Sequence, residues 1–265
     1  MVPEYPLRVR SRWGWGEPHL ETLAQHLASR EAAYEQAVDD AVELADWAAQ
    51  IPQAPSEPGQ PAWGNDYWGT VDALVQCAAL RRRNPALYLE VGSGWSTLFA
   101  RRAITDFGLR TRIVSIDPEP RADVNASCDE VIRTPLEDVD PAVFDVLGAG
   151  DMVFVDGSHT ALMNSDSTVF FLEVLPGLSP GVLVGIDDIF LPSDYHPTWV
   201  GRVYGEQYLL AAFLLGGAVG WTIRFPAWWV IEHSALAARF DPVWPVVESR
   251  FGRVASSFWL ERTSC

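Results

Sequence analysis

The chain has 265 residues, and its 19 basic residues, all of them arginine, face 35 Asp and Glu for a formal charge of −16. The absence of lysine excludes Schiff-base chemistry and a lysine-bearing phosphate loop, and the acidity argues against nucleic-acid or anionic-membrane partners, which need a basic surface to release counterions. At 48% hydrophobic the chain can bury a sizeable core, and its length suits one large domain or one domain with an appendage.

In chain order, residues 1–16 mix Pro, Glu, Arg and Trp without an apolar run, so no signal peptide is expected. Residues 18–50 read as one long amphipathic helix or two in series, since Leu20, Leu23, Leu27, Tyr34, Val38, Ala41, Ala45 and Ala48 recur at three- and four-residue steps. The Pro- and Gly-rich run 52–64 then marks a boundary. We therefore expect an N-terminal helical appendage over 1–64, acting as a cap or a dimerisation segment, and a main domain over 65–265. Within that domain, residues 71–83 read as a helix and 86–91 as a buried strand, followed by a Gly-Ser-Gly turn and a helix ending near Phe107. Further strands are expected at 112–116, 130–134, 151–155 and 182–186, a helix at 206–215, and two last strands at 221–225 and 257–261. Short apolar strands separated by helices predict an α/β, doubly wound, mostly parallel sheet. The longest apolar run, 208–221, is too short to span a bilayer. Cys77, Cys128 and Cys265 are odd in number and lack metal-ligand spacing, which suits a reducing, cytoplasmic setting.

Two constellations point to a ligand. Glu90-Val91-Gly92-Ser93-Gly94-Trp95-Ser96-Thr97 falls at a strand-to-helix turn, where glycines admit close backbone approach and the helix start offers free N–H groups. Thr97 stands where a dinucleotide fingerprint wants a third glycine, which weakens a nicotinamide-dependent oxidoreductase. Asp117 ends the next strand, the expected place for a carboxylate that accepts from ribose hydroxyls. A nucleoside-bearing ligand is expected on these two signals together.

This run, with Ser115-Ile116-Asp117-Pro118, Phe154-Val155-Asp156-Gly157-Ser158-His159 and Leu178-Ser179-Pro180-Gly181-Val182-Leu183, resembles a class I S-adenosylmethionine-dependent methyltransferase. It is most similar to the bacterial small-molecule type with Asp-Gly-Ser-His after the fourth strand; Asp188 to Tyr195, Glu206 to Leu210 and Ser257-Phe258-Trp259 also resemble that group. The resemblance implies a Rossmann-like seven-stranded sheet with an antiparallel last strand. S-adenosyl-L-methionine would then pass over Gly92, Ser93 and Gly94, with Ser96 in the same turn and Glu90 fixing the loop or the ammonium. Asp117 would hold the ribose, and Leu136 or Glu137 would lie beside the adenine.

On the substrate side, Asp156, Asp187 and Asp188 are expected at one crevice, and carboxylates gathered this way repel unless something offsets their charge. Mg²⁺ is one candidate, by similarity to catechol-type O-methyltransferases that hold a cation at these positions. Those enzymes keep a lysine base where this chain has His159, and relatives with Asp-Gly-Ser-His carry His where this chain has Asp187. The expected reaction is methylation of a small-molecule acceptor, aromatic or hydrophobic, at oxygen, with His159 as first and Asp187 as second candidate base. N-methylation, a non-methylating use of the same cofactor and a non-catalytic binding module remain as alternatives. Tyr67, Trp68 and Trp95 are candidate cofactor walls, Tyr195 and Trp199 candidate acceptor covers, and Arg202 with Glu206 reads as a solvated helix face.

Overall fold

Five short runs, Leu87–Val91 (β1), Arg112–Ile116 (β2), Glu130–Ile132 (β3), Met152–Val155 (β4) and Leu183–Ile186 (β5), build the parallel part of a sheet in the computed structural model, which describes residues 8–120, 124–247 and 252–264. Trp221–Pro226 (β6) and Phe258–Arg262 (β7) complete seven strands in the order β3-β2-β1-β4-β5-β7-β6. All pairings are parallel except those of β7, which runs antiparallel to both neighbours. The expected α/β class, seven strands and antiparallel last strand are what the chain adopts. β1, β4 and β5 are apolar enough to be covered on both faces, and their residues are almost wholly buried.

Strand order reverses between β1 and β4, because the chain winds outward to β3 and then returns to the far side of β1. The crevice beyond the carboxyl ends at such a point is where open α/β sheets receive ligands. The register makes that edge level: Val91 pairs with both Ile116 and Val155, and Val155 with Ile186. The next residues continue the ladder, with Gly92 donating to Ile116, Asp117 to Ile132, Asp156 to Val91 and Asp187 to Val155. One row of residues therefore crowns four strands.

Thr70–Arg83 (α4), Trp95–Asp106 (α5) and Glu206–Leu215 (α8) lie where periodicity put helices. A helical run through Asp166–Val169 (α6), a π turn over Phe170–Val174 and Leu175–Gly177 (α7) connects β4 to β5, and Ala227–His233 (α9) follows β6. The N-terminal expectation needs correction. Residues 18–50 form neither one helix nor two, but Glu21–Ala28 (α1), a 3₁₀ turn, Glu35–Val42 (α2) and Ala45–Ala48 (α3). The hydroxyl of Ser29 bonds the His26 carbonyl at 2.9 Å and the Tyr34 hydroxyl bonds that of Leu27 at 3.1 Å, so side chains take carbonyls that a continuous helix would use. The apolar stripe is nevertheless real. Leu23, Leu27, Tyr34, Val38, Ala41 and Leu44 are buried in the same core as the sheet, and α2 packs on α4.

Among the described residues no helix is long and apolar enough to cross a membrane. Cys77 is buried and Cys128 half-buried, both as free thiols. Cys265 and the first seven residues of the N-terminal reading lie outside the described residues.

Candidate functional site

The row above β1, β2 and β4 opens onto a cleft of about 560 Å³. Gly92, Ser93, Asp117, Leu136, Glu137 and Asp156, all expected at a ligand, line it together with the loop 157–166. Gly92 has φ +76°, and a Cβ there would fall 1.8 Å from the carbonyl oxygen of Asp156. Only glycine lets the β1 and β4 ends meet this closely. Gly94 precedes α5; a Cβ on it would meet nothing within 4 Å, so the turn leaves free space. Asp117 Oδ2 accepts the Ser93 N–H at 2.7 Å and its hydroxyl at 3.1 Å, while Oδ1 accepts the Glu119 N–H at 2.8 Å. A carboxylate has about four acceptor positions, so Asp117 keeps capacity for a ligand hydroxyl.

Glu90 and Ser96 lie beneath this surface. Glu90 is fully buried, and it receives the hydroxyls of Ser96 at 2.5 Å, Tyr88 at 3.2 Å and Thr97. Burial outweighs these donors and pushes its carboxyl up to about 8. Thr97 also accepts the Gly94 N–H at 3.0 Å, capping α5 from the position where a dinucleotide fold has glycine. Trp68 is a core residue edge-on to Phe154, Trp95 is half-buried and Tyr67 is exposed, so these three do not form one wall. Tyr195 and Trp199 belong to an aromatic cluster with Trp15, Phe190, Tyr204 and Trp228.

The four acidic and basic residues after β4 and β5 do converge, with an arrangement the linear pattern does not contain. His159 is 4% exposed and carries a left-handed backbone, φ +57°. Its Nε2 lies 3.2 Å from Asp156 Oδ1 and 3.5 Å from Asp188 Oδ2, and its Nδ1 lies 2.9 Å from Glu206 Oε2. Burial works against the imidazolium, but the hydrogen bonds to Asp156 and Glu206 and the charge of Asp188 outweigh it and hold His159 well above the ordinary histidine value. Both ring nitrogens face carboxylate oxygens, an arrangement that favours the doubly protonated ring. Asp187, bonded at 3.1 Å by the Ser256 hydroxyl, is raised well above the carboxylate range by burial and then by Asp188, Asp156 and Asp72. Burial also lifts Asp188, to about 6.

Among the described residues no group of three or more His, Cys, Asp or Glu is placed to hold a metal ion. The reason is visible in the distances: the His159 imidazolium occupies the position between Asp156 and Asp188 and offsets their repulsion itself. Of Arg202 and Glu206, only the first is solvated. Arg202 is exposed and stacks 4.2 Å from the Trp199 ring, whereas Glu206, 1% exposed, turns inward. The sequence carried one signal for this, since Glu206 shares the stripe of Leu210 and Leu214, both buried, at four-residue spacing. Asp72, equally buried inside α4, accepts the Ser257 N–H at 2.8 Å and was likewise missed.

Residues 89–189 match a family model described as a methyltransferase domain. No curated protein matches the chain. Among solved structures, a methyltransferase of Podospora anserina bound to S-adenosylhomocysteine is similar over 100% of both chains, at 15% identity and a TM-score of 0.44. An O-methyltransferase from Bacillus cereus, also with S-adenosylhomocysteine, is 12% identical over 86% of this chain and 91% of its own, at 0.44. The methyltransferase of the mycinamycin biosynthetic pathway, in complex with Mg, S-adenosylhomocysteine and mycinamycin VI, is 18% identical over 69% and 47%, at 0.40.

Proposed function

We propose that the methyltransferase domain at residues 89–189 uses S-adenosylmethionine to methylate a hydroxyl of a small acceptor. The observation that carries this reading is the level row of Gly92, Asp117 and Asp156 bounding one cleft, with a buried acid–imidazole cluster at its β4 side. Gly92, Ser93 and Gly94 would underlie the methionine part of the cofactor, Asp117 would accept from the ribose, and Leu136 and Glu137 would border the adenine. Glu90 and Ser96 would act from below by fixing the turn. When bound, the cofactor supplies a methyl group already activated by its sulfonium.

The chain then has to align the acceptor and take its proton. His159 and Asp187 are both held well above their ordinary values, so we assign the proton-accepting role to Asp188, which is raised only to about 6. Asp156, which lines the cleft, would orient the acceptor hydroxyl.

Calorimetric titration with S-adenosylhomocysteine tests the cofactor half. Tight binding by the parent protein and a loss of about tenfold or more in Asp117→Ala are expected, the scale of one charge-assisted hydrogen bond. Undiminished affinity in that variant overturns the assignment. Transfer of a labelled methyl group to a panel of hydroxylated and amine acceptors tests the oxygen preference.

A further inference from the structure

Glu206 is a buried acid that the cofactor cleft does not touch and that stability alone does not explain. Among the described residues its Oε1 has no hydrogen-bond partner, although it is sealed from solvent. A half-satisfied buried carboxylate costs stability, and an apolar residue would suit the stripe shared with Leu210 and Leu214 better. Among the described residues its one side-chain hydrogen bond is with His159 Nδ1. The backbone makes the same connection twice more, because the N–H groups of Gly205 and Glu206 donate to the His159 carbonyl at 2.7 and 3.1 Å. Three bonds from the start of α8 thus hold a residue whose left-handed backbone is uncommon for a non-glycine residue.

We propose that Glu206 is a positioning residue, which fixes the ring of His159 with Nδ1 inward so that Nε2 holds Asp156 and Asp188 in place at the acceptor side of the cleft. The proposal rests on the methyl-transfer reading of that cleft. The acid–imidazole–acid chain runs from the first residue of α8, through the loop after β4, to the loop after β5. The groups around the ring are Asp156 and Asp188 at Nε2, Glu206 at Nδ1, and the Tyr204 ring 4.7 Å away. Asp187 acts on the same cluster through Asp188, Asp156 and His159 itself, and Arg202 through Asp188. No lysine exists in the chain to replace the imidazolium. A histidine with one ring nitrogen fixed by a buried carboxylate presents its other nitrogen in one orientation, so the acid governs a site it does not touch.

The test uses full-length protein carrying ¹⁵N-labelled histidine, observed near neutral pH with and without S-adenosylhomocysteine. The parent protein should show a protected His159 Nδ1–H resonance, identified by its absence in His159→Asn. Glu206→Leu should lose that resonance while binding S-adenosylhomocysteine as the parent does, and Glu206→Gln, which keeps an acceptor oxygen of the same reach, should restore it. If Glu206→Leu does not fold, Glu206→Gln and Glu206→Ala are compared in the same way. An Nδ1–H resonance unchanged in Glu206→Leu or Glu206→Ala overturns the proposal, and so does its loss in Glu206→Gln. Failure of the parent protein to bind S-adenosylhomocysteine would overturn the functional reading instead, and is seen separately.

Discussion

At the scale of single residues, burial decides which acids are charged. Glu90 shows the effect most simply, because its carboxyl rises from an ordinary 4.5 to about 8 through burial, against three hydroxyl donors. The folded chain therefore keeps a proton that the unfolded chain releases between those values, and stability falls as pH rises through that window. Thermal melts from pH 5 to 8 should show this loss in the parent and a flatter dependence in Glu90→Gln. Asp188 works in the opposite sense for catalysis, since only its ionised form takes a proton. The rate of labelled methyl transfer should rise with pH through about 6 and then level, and Asp188→Asn should lose this limb together with about 10²-fold or more in turnover.

At the scale of elements, the first turn of α8 joins three parts of the chain. Glu206 reaches the loop after β4. Gln207 accepts the Phe190 N–H at 2.9 Å and donates to the Ser193 carbonyl at 3.3 Å in the loop after β5. Tyr208 donates at 2.9 Å to Asp194, which also accepts the Arg12 and Trp13 N–H groups, tying in the N-terminal arm. Gln207→Ala strands a buried N–H and a carbonyl, which should cost about 1–3 kcal/mol. Amide hydrogen exchange should then speed up over 188–195 while β1 and β2 keep their protection. α8 itself was plain from its apolar run, but this connecting role was not, because its partners lie about ten to fifty residues away and hydrogen bonds at that separation leave no periodic trace.

At the scale of the whole molecule, one core holds the sheet and the N-terminal helices together, and Gly185 is closely packed within it. A Cβ there would fall 2.6 Å from the Trp259 ring and 2.7 Å from that of Phe154, rings that stack with each other at 5.6 Å. Gly185→Ala should destabilise the fold by about 1–3 kcal/mol through overpacking, read as a lower melting temperature. Because β4 and β5 carry Asp156 and Asp187 at their ends, its affinity for S-adenosylhomocysteine should drop as well.

The strands and three helices of the main domain, α4, α5 and α8, were legible from their apolar runs and turn residues, whereas α6, α7 and α9 were not. Gly92 and Asp117 were legible because a strand-to-helix turn and the next strand end are local patterns. The break of residues 18–50 into short helices was not, since Ser29 and Tyr34 compete for carbonyls that the apolar stripe cannot reveal. The lysine-free composition alone determined that any buried cation must be histidine or arginine. Only the tertiary structure decided that it is His159, ringed by Asp156, Asp188 and Glu206 from three separate elements, because charge in a buried site depends on distance and desolvation, and neither is written in the linear order of residues.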